Sequence, residues 1–120
     1  MNRDERKMDY VEIPVTDPAA ARAFFEALYG WSFEDYGPDY IAFSDGRLDG
    51  GFTRADAPPP PGGVLVIFYS ENLERDRDRV LELGATISTD TFSFPGGRRF
   101  HFKDPGGNEF AIWTDNEPAD

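Results

Sequence analysis

Tyr10-Val11-Glu12-Ile13-Pro14-Val15-Thr16-Asp17-Pro18 runs into a segment of different period, in which Ala21, Phe24, Phe25 and Leu28 are followed by Gly30. In the first part Val11, Ile13 and Val15 share one face and Tyr10, Glu12 and Pro14 the other, which is the alternation of a strand with two unlike sides. Asp17 is a good N-cap acceptor, and Pro18 fits the first helical position, whose N–H would have no partner in any case. The apolar residues then recur at i, i+3, i+4 and i+7, and Gly30 tolerates the left-handed conformation that closes helices. The stretch predicts a strand and then a helix over about 17–29. Three extended segments follow, 31–36, 40–44 and about 48–54, separated by Gly37-Pro38-Asp39 and Asp45-Gly46, and they suggest an antiparallel meander.

The second half repeats this order. Val64 to Tyr69 reads as a strand, Asn72 as the cap of a helix reaching about Leu83, and Gly84 as its close; extended segments follow at about 85–92, 98–103 and 108–114. Aligning Asp17 with Asn72 sets Tyr10-Val11-Glu12-Ile13 against Leu65-Val66-Ile67-Phe68. Module one therefore spans about 8–54 and module two about 64–114. The proline-rich tract 55–63 between them has too few amide donors for a sheet and is stiff enough to act as a spacer. Leu73, Val80 and Leu81 form the thin apolar stripe of the second helix, and Glu74 to Arg79 reads as a solvated charged face.

Composition narrows the function. The 120 residues carry 12 basic and 23 acidic side chains, a net charge of -11 shared almost equally between the halves, with no cysteine and one histidine. No basic face suits a phosphate backbone, so nucleic acid is a poor partner. No stretch approaches the ~20 apolar residues of a membrane span, and the charged start of the chain lacks a signal-peptide apolar segment, so a cytoplasmic protein is expected. Thiolate metal sites and cysteine nucleophiles are excluded.

The duplicated order resembles a known family on the following residues: Val11-Glu12-Ile13-Pro14-Val15-Thr16-Asp17, Ala23-Phe24-Phe25, Tyr29-Gly30-Trp31 and Phe102-Lys103-Asp104-Pro105-Gly106-Gly107-Asn108-Glu109-Phe110. Over about 8–114 the chain resembles the glyoxalase/bleomycin-resistance/dioxygenase proteins of the vicinal oxygen chelate superfamily. The resemblance implies an α+β fold of two βαβββ modules forming an eight-stranded, cup-shaped mixed sheet with helices outside and a ligand or metal site inside. It also implies a homodimer, because relatives of this length commonly pair modules between subunits.

In metal-using members a divalent ion takes donors from the first strand of each module and from the last strand. On this chain those positions fall on Tyr10, on Leu65 (or Val64 or Val66 if the register slips) and on Ala111. A fourth-strand carboxylate would fall near Gly50 or Gly51, beside Asp49. Leu65 and Ala111 have no donor atom, and a phenol, ordinarily losing its proton near pH 10, is a poor ligand near neutrality. No metal ligands of the usual kind and no cofactor are therefore expected. A non-standard set of Glu12, His101 and Glu109 has suitable donor types, but nothing in the spacing fixes its distances.

Alternation puts Tyr10 and Glu12; Leu65, Ile67 and Tyr69; Arg99, His101 and Lys103; and Glu109, Ala111 and Trp113 on the ligand side of their strands, with Phe100, Phe102, Phe110 and Ile112 opposite. His101 is a candidate general acid/base or donor to an anion, because imidazole changes charge near neutrality. By the resemblance, its place three before Asp104 faces ligand in the fosfomycin-resistance branch. A half-exposed strand histidine without a chemical role is the plainer account. Glu12 is a candidate base, or else a salt-bridge partner of Arg99 or an edge carboxylate near solvent. Tyr10, Tyr69, Arg99 and Trp113 are candidate binding residues: Arg99 to close on an anion, Tyr69 and Trp113 to stack on a planar ligand or simply to pack.

Three readings follow. The first is a metal-independent, sequestering small-molecule binder whose ligand is aromatic or cationic, given the negative charge. The second is a glyoxalase-like lyase, isomerase or dioxygenase-related enzyme using Glu12 and His101 with an atypical or absent metal. The third is a protein-interaction module.

Overall fold

The computed structural model describes residues 5–116. It divides into two compact units with the boundary between Pro58 and Pro59. The first contains β1 (Tyr10–Val15), α1 (Pro18–Tyr29), β2 (Ser32–Asp35), β3 (Tyr40–Ser44) and β4 (Asp49–Arg54). The second contains β5 (Val66–Tyr69), α2 (Leu73–Glu82), β6 (Thr86–Phe94), β7 (Gly97–Lys103) and β8 (Glu109–Thr114). Each is a βαβββ module, and the fold class is α+β as expected.

The helix ends form where the local chemistry calls for them. The Asp17 side chain accepts from the Ala20 N–H, and Asn72 accepts from the Arg75 N–H at 3.0 Å. Gly30 closes α1 at φ 68° and Gly84 follows α2 at φ 94°, conformations that a Cβ would penalise.

The eight strands form two four-stranded mixed sheets of identical order, β1-β4-β3-β2 and β5-β8-β7-β6. In each, the last three strands make the antiparallel meander, and the first strand pairs parallel to the last, β1 with β4 and β5 with β8. The helix of each module covers one sheet face. In module one Phe24 and Phe25 of α1 pack with Ile13, Val15, Ile41, Phe43 and Phe52, all buried. Phe25 stacks on Trp31 at 4.7 Å and on Phe52 at 5.8 Å. In module two Leu73 and Val80 meet Phe100, Phe102, Phe110 and Ile112, each 2% exposed or less.

Two expectations about α2 need correction. Leu81 is 42% exposed and leaves the stripe, while Asp76 is buried and bonded to Arg75 Nε at 3.0 Å. The charged run is not simply solvated. Glu74 pairs with Arg98 of β7 at 2.5 Å and Arg77 with Asp90 of β6 at 3.1 Å, so charge fastens the helix to its sheet. Strand β6 also runs on to Phe94, with register irregularities on either side of Thr89. Bulges of this kind add residues to one strand without lengthening its partner.

The turn before β8 is held by Asp104, which is buried. Its Oδ1 accepts the Asn108 N–H at 2.9 Å, and its own N–H bonds the Asn108 carbonyl at 2.9 Å. Burial raises the Asp104 pKa, while backbone N–H groups of Asn108, Gly106 and Gly107 pull it the other way. The folded chain therefore holds the Asp104 proton more tightly than the unfolded one. The associated stability is present below the ordinary aspartate value and is lost as pH rises through the folded value. Asp104→Asn keeps the acceptor without a buried charge and should unfold at neutral pH at no lower urea concentration than the parent. Asp104→Ala leaves the turn's N–H groups unpaired and should lose about 1–3 kcal/mol.

Candidate functional site

The functional candidates lie on the sheet faces turned away from the helices, and the register orders them into rows. In module one, Tyr10, Asp49, Ser44 and Ser32 lie side by side across β1, β4, β3 and β2, and Glu12, Gly51, Ala42 and Glu34 form the next row. Tyr40 begins β3 one pair further along, opposite Thr53. Its ring lies over Gly51, where an added Cβ would overlap the hydroxyl and ring, and its hydroxyl bonds that of Tyr10. Burial, the bond to Tyr10 and the neighbouring Glu12 carboxylate together push the Tyr40 pKa well above the ordinary phenol value.

Beside this pair lies a cleft of about 540 Å³ lined by Tyr10, Tyr36, Glu34, Asp49, Ser32 and Ser44, among others, and, among the described residues, by no basic side chain. The Glu34 carboxylate, hydrogen-bonded to the Tyr36 hydroxyl, raises that phenol's pKa too. Carboxylates and tyrosine rings without a competing cation form a surface suited to an organic cation. Tyr10 and Glu12, candidates from the sequence, lie on this face with Asp49, which the sequence places beside the fourth-strand carboxylate position, and with Glu34 and Tyr40, which it does not single out; Tyr36 joins them in the cleft. The available signal was alternation within 40–44 next to a glycine at Gly51.

The raised Tyr40 pKa has a measurable consequence. The folded chain keeps this proton at pH values where the unfolded chain has lost it. The stability linked to Tyr40 is therefore complete below pH ~10 and drains away as pH rises beyond it. Ultraviolet titration should show a late-ionising tyrosine that disappears in Tyr40→Phe.

In module two a single row, Tyr69, Trp113, Arg99 and Phe92, crosses β5, β8, β7 and β6. Tyr69 meets Trp113 edge-on at 5.2 Å, and its hydroxyl donates to Asp115 at 2.7 Å, which raises the Tyr69 pKa. The Arg99 guanidinium lies over the rings of Phe92, at 5.3 Å, and Phe94, at 5.7 Å. The adjoining row is Ile67, Ala111, His101 and Thr89. His101 Nδ1 stands 3.6 Å from Glu109 Oε2, which also accepts from Ser88 Oγ at 3.0 Å. Among the described residues the buried His101 Nε2 has no hydrogen-bond partner. Tyr69, Arg99, His101 and Trp113 are thus brought together on one face, and Tyr10 and Glu12 on another.

The positions at which relatives hold a divalent ion do not fit one. The Tyr10 hydroxyl is engaged by Tyr40, and Leu65 and the fully buried Ala111 offer no donor. Among the described residues no group of three or more histidine, aspartate or glutamate side chains is placed to hold an ion.

A family model, the Glyoxalase/Bleomycin resistance protein/Dioxygenase superfamily, matches residues 7–112. The chain is 28% identical over 119 residues to a Mycobacterium bovis protein provisionally named glyoxylase CFP32, covering 90% of this chain. It spans 45% of that relative's length, so it is similar to about half of it. Among solved structures, it resembles a glyoxalase/bleomycin resistance protein/dioxygenase family enzyme from Burkholderia phytofirmans PsJN, with a TM-score of 0.78, 17% identity and coverage of 92% of this chain and 99% of that one. It also resembles lactoylglutathione lyase from Agrobacterium tumefaciens, with a TM-score of 0.69, 20% identity and coverage of 93% and 96%. At these identities the structural likeness concerns the fold.

Proposed function

The chain belongs to the glyoxalase/bleomycin resistance protein/dioxygenase superfamily, and from that premise we propose that it is a metal-independent, sequestering binder of a small aromatic or cationic molecule. The observation that carries this reading is the module-one cleft, in which Glu34 and Asp49 stand among tyrosines with no basic residue in the lining among the described residues. The side chains at the family's metal positions agree with it: a sequestering protein needs a shaped, selective surface and no Lewis acid. In this reading Tyr10 contributes to the module-one cleft, and Tyr69, Arg99 and Trp113 are the candidate binding residues of module two. The protein works in the cytoplasm as a homodimer; no helix among the described residues is long and apolar enough to cross a membrane.

The test is thermal unfolding of the purified protein against matched aromatic cations, anions and neutral compounds, followed by chemical analysis of the compound. A binder is stabilised by mass action, by about 2.7 kcal/mol at a hundredfold excess over Kd, and returns the compound unchanged. No stabilisation by any of them would overturn the reading.

One observation favours the second reading, a glyoxalase-like lyase or isomerase. A carboxylate orienting one nitrogen of an imidazole leaves the other to move a proton, and Glu109 stands so toward His101. In that case turnover would be found and His101→Ala or Glu12→Gln would abolish it; full activity in both variants would exclude those roles.

A further inference from the structure

We infer that the face of module two turned away from α2 carries a recognition site for an aromatic anion, with Arg99 taking the anionic group and Tyr69 and Trp113 receiving the ring. The inference rests on the reading of the chain as a small-molecule binder and adds to it a ligand class opposite in charge to the one suited to the module-one cleft.

Among the described residues Arg99 is an unusual arginine, half-buried and stacked on rings rather than paired with a carboxylate. In a protein with 23 acidic side chains against 12 basic ones, carboxylates are plentiful, and Arg22, Arg54, Arg75, Arg77, Arg79 and Arg98 each pair with one. Arg99 is half-buried, yet among the described residues its contacts are the ring faces of Phe92 and Phe94, and its Nε is buried with no hydrogen-bond partner. A guanidinium has five N–H donors and is costly to desolvate unpaired. Stacking on ring faces offsets part of that cost, and it fixes the plane of the group while leaving edge donors for a planar carboxylate or a sulfonate.

The surroundings extend the same chemistry. His101 and Lys103 follow Arg99 at two-residue steps on the same strand face, and His101 Nε2 is a second buried nitrogen with no hydrogen-bond partner among the described residues. Of the carboxylates near this face, Glu109 accepts from Ser88 and stands 3.6 Å from His101, and Asp115 accepts from the Tyr69 hydroxyl. On the other side of Arg99 in its row is Trp113, with Tyr69 edge-on to it and Phe94 at 6.4 Å. Tyr69 is 49% exposed, so this wall has surface to offer a planar ring. The net charge of -11 does not decide the matter. Charges beyond about 8 Å are largely screened at physiological ionic strength, so the distant part of that charge bears little on an anion at Arg99.

The experiment is a calorimetric titration of the whole protein with 2-naphthoate, 2-naphthamide and 2-naphthylmethylammonium. In parallel, the indole N–H signals of the two tryptophans, Trp31 and Trp113, are followed by NMR. Naphthoate is expected to bind about tenfold or more tightly than the amide and to move the Trp113 signal while leaving Trp31, stacked in the module-one core, in place. Arg99→Met, which keeps an unbranched stem over the two phenylalanines, should erase the advantage of the anion. Equal binding of anion and amide, a preference surviving in Arg99→Met, or binding by none of the three would overturn the inference. Binding of the ammonium compound alone, sensitive to Asp49→Asn and silent at Trp113, would overturn it while leaving the binder reading in place.

Discussion

Phe25→Ala is expected to cost about 3–5 kcal/mol of stability, the usual range for deleting a buried aromatic ring. Phe25 is fully buried and is the hub of the module-one core: it stacks on Trp31, lies 5.8 Å from Phe52, and meets Phe24 edge-on at 5.1 Å. Alanine there removes the ring's transfer energy and leaves a void that rigid neighbouring rings cannot close. With total stabilities of about 5–15 kcal/mol for domains of this size, the change should bring module one close to its unfolding threshold. Urea unfolding read by Trp31 fluorescence checks this, because the stacked partner of that indole is the group removed. A loss below about 1 kcal/mol would mean that this core is not closely packed.

Gly97→Ala should also destabilise, by less and for the opposite reason. Gly97 opens β7, and a Cβ placed there would overlap the carbonyl oxygen of Thr114 on β8 and press on its carbonyl carbon at 3.1 Å. Both neighbours are backbone, so a strand has to move rather than a flexible side chain. Overpacking of this kind costs about 1–3 kcal/mol. The displaced segment carries Trp113 and Asp115, the ring contact and the hydroxyl acceptor of Tyr69. The variant should therefore lose stability and ligand response together, whereas Arg99→Met should lose ligand response with little change in unfolding. Unfolding and binding measured side by side on the two variants separate packing from recognition.

Most of the architecture was legible because its determinants are local. The change from alternation at 10–15 to helical spacing at 21–28, the Asp17 and Asn72 caps, and the left-handed Gly30 each act within a few residues. The repetition of this pattern specified the second module. The side-chain faces followed from alternation alone, so Phe100, Phe102, Phe110 and Ile112 are core and Arg99, His101 and Trp113 are not. Local signals do not determine register between distant strands. The parallel pairing of β1 with β4 sets Tyr10 beside Asp49, and only with that pairing known do the carboxylates gather into one cleft. Tyr40 reads as an ordinary strand residue until Gly51 is seen to leave room for its ring. The extension of β6 to Phe94, which gives Arg99 its second ring face, depends on bulges that no turn residue marks. The charged run on α2 was misread for the same reason, since the partners of Glu74 and Arg77, Arg98 and Asp90, lie on strands further along the chain.

The proposed function requires that the protein bind a small molecule through a built, charge-selective surface. Calorimetric titration with benzyltrimethylammonium, an aromatic cation, tests it most directly on the parent and on the double variant Glu34→Gln, Asp49→Asn. The account predicts saturable binding of one ion per chain to the parent, weakened about tenfold or more in the variant, with the ion recovered unchanged. Binding that never saturates, or that is equally tight without the two carboxylates, would contradict it.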